Sequence, residues 1–261
     1  GYWIHNKLKA LGINSYVINP ADIPTSKKEK VKKEDKRDSK KIARSLRNGD
    51  LIPIYVPTLK TIEDRQLVRA RGTLVKDQTR YKNRIKSFLY FHGIDIPEAF
   101  NKPQSHWSKR FITWLKSIKM NEESAETALS ALLSQVNHLR ESVLDITKKI
   151  RALSNTDGYI ENVKLLHSVP GIGLITSMII LTELEDINRF NNLDKLCSYV
   201  GCVPSTHCSG EKEKTGDITP RGHSILRSAL IESSWKAIHV DPVLLKCYID
   251  YCKHMESNQA I

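Results

Sequence analysis

The sequence predicts three parts in series: a short α/β beginning, a long helical arm and an almost wholly helical end. Three observations carry this reading. A helical pattern, a glycine and an extended run follow one another within residues 2–20. Leu129, Leu132, Val136, Leu139, Val143, Ile146, Ile150 and Leu153 recur in alternating steps of three and four, the spacing of a coiled-coil seam. After residue 158, apolar residues come at helical spacing between short turns. The expected parts are 1–100, 101–158 and 159–261.

The first part opens with YWIHNKLKAL, which fits a helix with Trp3, Leu8 and Leu11 on one side and Gly12 as its stop. INSYVINP (13–20) reads as a short strand closed by Asn19-Pro20. Such a unit is stable only inside a sheet, so at least one strand is expected to precede it. SKKEKVKKEDKRDSKKIARSLRNG (26–49) starts as a charge run and turns helical from about Asp35, with Ile42 and Leu46 four apart and Gly49 at the end. LIPIYVP is a second extended piece. Residues 58–92 form a long helix on the recurrence of Leu67, Ala70, Leu74, Tyr81, Ile85 and Phe88, and carry Arg65, Arg69, Arg80 and Arg84.

HGIDIPEAFNKPQS is a linker with two prolines, and HWSKRFITWLKSI (106–118) a short amphipathic helix. The seam helix covers 121–153 and suits self-association through residues 129–153, although one helix of an intramolecular bundle carries the same stripe. After NTDG, residues 161–184 give two helices about the turn Val169-Pro170-Gly171-Ile172-Gly173. DINRFNNLDKLCSYVG reads as two short helices. RGHSILRSALIESSWKAI and DPVLLKCYIDYCKHM read as two more, after a polar, hairpin-like run.

Size and charge narrow the class. With 261 residues and 40% hydrophobic content the chain can bury a sizeable core, more naturally in two domains than one. Its longest apolar stretch, in GIGLITSMIILTELE, is too short to span a bilayer, and the amphipathic start lacks a signal-peptide apolar region. A cytoplasmic protein is expected. Five cysteines, an odd number, do not make a disulfide framework. Cys202 with His207 and Cys208, or Cys247 with Cys252 and His254, lack the paired spacing of a zinc site. Residues 1–119 carry 27 Lys and Arg against 11 Asp and Glu, a net +16, while residues 120–261 carry 14 against 18, a net −4. So basic a first half calls for a polyanion, and without a broad apolar face nucleic acid is favoured over a membrane.

Three constellations could do chemistry. Gly171 and Gly173 flank Ile172 between helices, a turn whose amides can hold a phosphate in a helix-hairpin-helix; an ordinary tight turn fits too. Asp35 and Asp38, three apart on a helix, share a face and could both reach one Mg²⁺ or Mn²⁺, with further ligands needed from a sheet. Around them Lys33, Lys36, Arg37, Lys40, Lys41 and Arg44 suit a phosphate backbone, or simply a solvated charge run. Ser209, beside Gly210, is followed within eighteen residues by Lys212, Lys214, Arg221, His223 and Arg227. Those groups would stabilise charge on a phosphodiester under attack by the hydroxyl. With no G-x-S-x-G elbow and no strand leading into the serine, acyl chemistry is the weaker use. A Ser-Gly turn before a basic surface helix is the plain alternative.

In order, the lysine-flanked D-x-x-D, the long arm and PGIG…L…F…L…YVG-x-x-P…SG…TG-x-I-T-x-x-G…LR resemble the DEDD-type transposases of insertion-sequence family 110, including its subgroup 1111 and related DNA invertases. The resemblance covers essentially the whole chain. It implies a RuvC-like, RNase-H-like domain with four acidic metal ligands, a helical arm, and a C-terminal domain with a nucleophilic serine. It implies cleavage and strand exchange through a covalent phosphoserine link, with donor and target DNA and a structured guide RNA as partners. A place in the bacterial or archaeal cytoplasm, at the nucleoid, follows from it.

Residue by residue, KKEDKRDSKK stands for the motif K-T-D-R-x-D-A, which makes Asp35 and Asp38 the last two acidic ligands, with Glu34 and Ser39 as departures. Val169 to Gly173 match the glycine turn, and Tyr199-Val200-Gly201 with Pro204 the segment before the serine. Ser209-Gly210 match the serine pair, Thr215-Gly216 to Gly222 the polar loop, and Leu226-Arg227 the helix after it. Pro220 stands where lysine is common. Ser205 is a second candidate, but the glycine beside Ser209 favours the latter. The family's first aspartate and its glutamate would lie upstream of Gly1, so the resemblance implies a chain lacking its beginning, impaired in strand transfer yet able to bind nucleic acid. Two other readings are an oligomeric DNA- or RNA-binding protein without cleavage and a junction-type nuclease that needs the acids but not the serine.

Overall fold

Apolar residues at helical spacing build most of the chain into helices, as the computed structural model shows for residues 1–23, 34–102, 105–209, 212–218 and 222–261, with the backbone alone at 206–209, 212–215 and 217. Packing divides the chain into two units, Gly1–Leu59 and Lys60–Ile261.

In the first unit, α1 (Tyr2–Ala10) gives way to Gly12 at φ +74°. Helix α2 (Asp35–Asn48) starts at Asp35, and its last turn closes on Gly49, also at φ +74°. The Gly49 N–H donates to the Leu46 carbonyl (3.2 Å) and the Asp50 N–H to that of Ser45 (3.0 Å), a Schellman arrangement that satisfies the orphan carbonyls. The two predicted strands do not form a sheet among the described residues. Their segments meet at one antiparallel bridge between Ile18 and Pro53, beside a 2.7 Å bond from the Ile54 N–H to the Val17 carbonyl. Pro53 has no N–H to add a rung, and Pro20 and Pro57 bracket the pair. Among the described residues of this unit no aliphatic, Met or aromatic side chain is buried, although Pro57 is, and Trp3, Leu11 and Ile52 are exposed.

The second unit is built on α3 (Leu59–Phe91) and α5 (Glu123–Ser154), which run antiparallel. Near one end, Val68 and Ile150 share a core with Tyr159, Val163 and Met178. Three residues further along α3, Arg71 donates to the Thr147 hydroxyl at 2.9 Å. At the other end, Ile85 and Leu89 pack with Leu129, Leu133 and Val136, and with Phe111 and Leu115 of α4 (Lys109–Ser117). The predicted seam is thus largely used within the chain: Leu129, Val136 and Ile150 are buried, and Leu132, Ile146 and Leu153 pack against the same two cores. At roughly 2 kcal/mol for each fully buried aliphatic side chain, this packing accounts for the stripe without a second copy.

Helices α6 (Ile160–His167) and α7 (Leu174–Leu184) flank the glycine turn. Gly171 takes φ +85°, and a Cβ there would strike the Ser233 carbonyl and stand 2.8 Å from the Ala237 nitrogen, both on α9 (Ser224–Ala237). Its first duty is therefore close helix packing. Gly173, by contrast, is exposed at the N-cap of α7 with open space around it. Helix α8 (Leu193–Val200), capped by Asn192, joins α7 and α9 in a third core around Leu184, Val200 and Leu226.

The C-terminal part is not all helical. Between α8 and α9 stand β1 (Pro204–Ser209) and β2 (Lys212–Ile218), paired antiparallel with Ser209 opposite Lys212. Helices α10 (Pro242–Cys252) and α11 (Ser257–Ala260) end the chain. No helix among the described residues is long and apolar enough to cross a membrane.

Candidate active site

Ser209 is the last residue of β1, at the end of the hairpin remote from its base. A strand does lead into the serine, contrary to the sequence expectation. It turns back into a second strand instead of a helix, so the elbow of acyl hydrolases is still missing. Ser205 sits differently. A Cβ added to Gly216 would stand 2.5 Å from the Ser205 Oγ, so this hydroxyl is packed across the hairpin against β2.

The base of the hairpin is drawn tight by two glycines. Gly201 (φ +84°) and Gly222 (φ +144°) approach so closely that a Cβ on Gly222 would strike the Gly201 Cα. The His223 N–H donates to the carbonyls of Tyr199 and Val200, each at 3.0 Å. Arg227, one turn into α9, donates from Nη1 to the Gly201 carbonyl at 2.9 Å. This bond braces the base of the hairpin, a use that the sequence did not announce.

The most connected polar group of this region was missed in the sequence. Glu183, 1% exposed near the end of α7, accepts both ends of the Arg69 guanidinium, Nε to Oε1 at 2.7 Å and Nη2 to Oε2 at 2.8 Å. Arg65 Nε stands 3.2 Å from Oε2 and also donates to the Thr182 carbonyl at 2.8 Å. His223 Nε2 lies 3.0 Å from Oε2. Because Nδ1 of the same ring accepts the Leu226 N–H at 3.3 Å and caps α9, the ring proton belongs on Nε2 and is donated to Glu183. Burial alone would raise the Glu183 pKa. The hydrogen bonds from His223 and Arg69, with the Arg69 charge, outweigh it and hold the carboxyl at about 2.

Around this centre, Arg189 lies 4.4 Å from the rings of both Phe190 and Tyr199, and the Tyr199 hydroxyl reaches the Glu183 carbonyl at 3.3 Å. The one sign of Glu183 in the sequence was a lone carboxylate at the end of the apolar run ITSMIILTEL. Arg65 and Arg69, part of the basic first half of the chain, both pair with it.

The other predicted residues lie on α2 and beyond. Asp35 and Asp38 occupy the first turn of α2, where the helix dipole favours them. Lys41 stands 3.5 Å from Asp38 Oδ1, and Arg37 pairs with Glu34 at 3.0 Å. Two carboxylates on one helical face fit a hard divalent ion as part of its oxygen set. The Lys41 pair is a small obstacle, since partly exposed pairs are worth only ~0–1 kcal/mol. Among the described residues no group of three or more His, Cys, Asp or Glu side chains is placed to hold a metal ion. Lys36, Lys40 and Arg44 are exposed at successive intervals of four along α2 and form a basic ridge. Lys33 and Arg221 fall outside the described residues, and Ser209 and Lys212 are placed by their backbone.

Comparison with known proteins meets this geometry at both ends. A family model described as a transposase, named for the DEDD type of IS110, matches residues 1–93. Another, described as the Transposase IS116/IS110/IS902 family, matches residues 163–248, a span that holds Glu183, the serine hairpin and α9. The chain belongs to the IS110 family of DEDD-type transposases. It is similar to the putative transposase y4qE of Sinorhizobium fredii (strain NBRC 101917 / NGR234), 28% identical over 240 residues, which are 90% of this chain and 55% of that protein. It is also similar to the transposase for insertion sequence element IS1111A of Coxiella burnetii (strain RSA 493 / Nine Mile phase I), 25% identical over 238 residues, 89% of this chain and 62% of the relative. The transposase for insertion sequence element IS1533 of Leptospira borgpetersenii is 28% identical over 193 residues, 74% of this chain and 54% of the relative. The chain thus spans between 54% and 62% of the length of these relatives.

Proposed function

We infer that the chain acts in DNA transposition, with Ser209 as the group that attacks the DNA backbone. The observation that carries this is the placement of Ser209 at the end of a hairpin whose base is pinned by Gly201, Gly222, His223 and Arg227. A nucleophile at the end of a braced two-stranded projection can be presented to a duplex, while Ser205 is turned into the hairpin. In the reaction the Ser209 oxygen bonds to phosphorus, one phosphorus–oxygen bond of the strand breaks, and the hydroxyl proton ends on the departing oxygen. The phosphodiester energy is kept in the serine ester, so attack by the hydroxyl of another strand can reseal DNA in a new arrangement.

Asp35 and Asp38 would hold Mg²⁺ or Mn²⁺, which would draw charge from the phosphoryl oxygens. The exposed ridge Lys36, Lys40 and Arg44, with Arg37 and Lys41 on the same helix and Lys33 just before it in the sequence, would lie along the backbone of donor or target DNA, or of a structured guide RNA. Lys212, Arg221 and the turn of Gly171 and Gly173 would bind further phosphates. A second copy, needed for paired strand exchange, would meet the half-buried middle of the 129–153 seam at Leu139 and Val143.

The test is a denaturing gel after incubation with DNA carrying the element's ends and Mg²⁺. A slow-migrating protein–DNA species is expected for the unaltered chain and for Ser205→Ala, and none for Ser209→Ala. Cutting that survives Ser209→Ala and stops with Asp38→Ala would indicate a nuclease instead.

A further inference from the structure

Helix α3 and the base of the serine hairpin meet at one buried carboxylate, and phosphoryl transfer itself gives Glu183 nothing to do. Arg65 and Arg69 reach it from α3, and His223 reaches it from the residue that closes the hairpin's base. A buried ion cluster is a poor source of stability, because the desolvation of its charges offsets most of their attraction. What it supplies is direction. A bidentate guanidinium and an imidazole with both nitrogens engaged fit one relative placement of the elements that carry them. His223 is the knot: its backbone N–H holds the end of α8, its Nδ1 caps α9, and its Nε2 donates to α7.

We propose that Glu183 and His223 are positioning residues that tie the seat of the Ser209 hairpin to the long helix α3, so that the lie of α3 sets where the hairpin stands. This rests on the reading of the hairpin as carrier of the attacking hydroxyl. With both ring nitrogens spent, His223 is not the base that takes the serine proton.

The two duties of the His223 ring can be separated. Asparagine offers an acceptor near the place of Nδ1 and keeps the cap, while glutamine offers a donor near the place of Nε2 and keeps the bond to Glu183. Two readouts are taken on the whole chain: amide hydrogen exchange over residues 201–223 without DNA, and the rate of covalent adduct formation with DNA. For His223→Asn, exchange across β1 and β2 is expected to rise about tenfold or more, the scale set by a hydrogen bond to a charged group. Adduct formation slows by a similar factor, and DNA affinity stays within about twofold. His223→Gln stays close to the unaltered chain in both. Arg69→Gln, on the partly exposed side of α3, should loosen the hairpin from a distance in the same way.

The proposal is overturned if His223→Asn matches the unaltered chain in both readouts, if His223→Gln is no better than His223→Asn, or if Arg69→Gln leaves hairpin exchange unchanged. If even the unaltered chain gives no adduct, the nucleophile assignment falls, while exchange still decides the tie.

Discussion

At Glu183 burial and hydrogen bonding pull the carboxyl in opposite directions, and the donors win, holding it at about 2 against an ordinary 4.5. A depressed carboxyl pKa means that folding is favoured by the ionised form. The contribution is full above about pH 4.5 and is lost as pH falls toward 2. A shift of this size corresponds to on the order of 3 kcal/mol. Urea unfolding of the chain and of Glu183→Gln should therefore differ most near neutral pH, with the gap narrowing by about pH 3. A gap that stays constant over that window would mean that the carboxylate charge does not stabilise the fold. Gly171 and Gly222 act at the same scale but through shape: each stands where a Cβ would enter a neighbouring backbone. Their glycines were visible in the sequence. The reason for them was not, since Ser233 and Gly201 meet them only after folding.

Helix α2 presents one basic ridge. Lys36, Lys40 and Arg44 are exposed, while Arg37 pairs with Glu34 and Lys41 with Asp38. If the ridge lies on a phosphate backbone, changing these three to Gln lowers the salt dependence of DNA binding. The slope of log K against log salt should fall by up to ~0.9 for each phosphate no longer neutralised. An unchanged slope in a salt titration would remove α2 from the interface. The long helices were the most legible elements, because α3 and α5 repeat their apolar pattern over many turns. Partner choice was not legible. A three-four stripe fits a partner in the same chain as well as one in another copy, and here Leu129, Val136 and Ile150 are buried within their own unit. The hairpin was legible only as a polar run, since it has no alternating apolar face to mark its strands.

Across the whole molecule, charge polarity was the sequence's broadest clue. The basic excess lies in residues 1–119 and the acidic residues of the second half include the buried Glu183, which is matched by Arg65 and Arg69 of the first. Among the described residues of 1–59 the two extended segments meet at one bridge, where Pro53 has no N–H to add a rung. An extended run needs neighbours to become a sheet, and composition cannot supply them. The family motifs point to Asp35, Asp38 and Ser209 along the chain but are silent on the buried network, in which Glu183 gathers residues from α3 and from the N-cap of α9, far apart in sequence.

The most direct measurement is mass spectrometry of the protein–DNA adduct after nuclease digestion. A nucleotide phosphate attached to the peptide containing Ser209, at that side chain and absent from Ser209→Ala, is the predicted result. Attachment at Ser205 or at a tyrosine, or strand transfer that proceeds in Ser209→Ala, would contradict it.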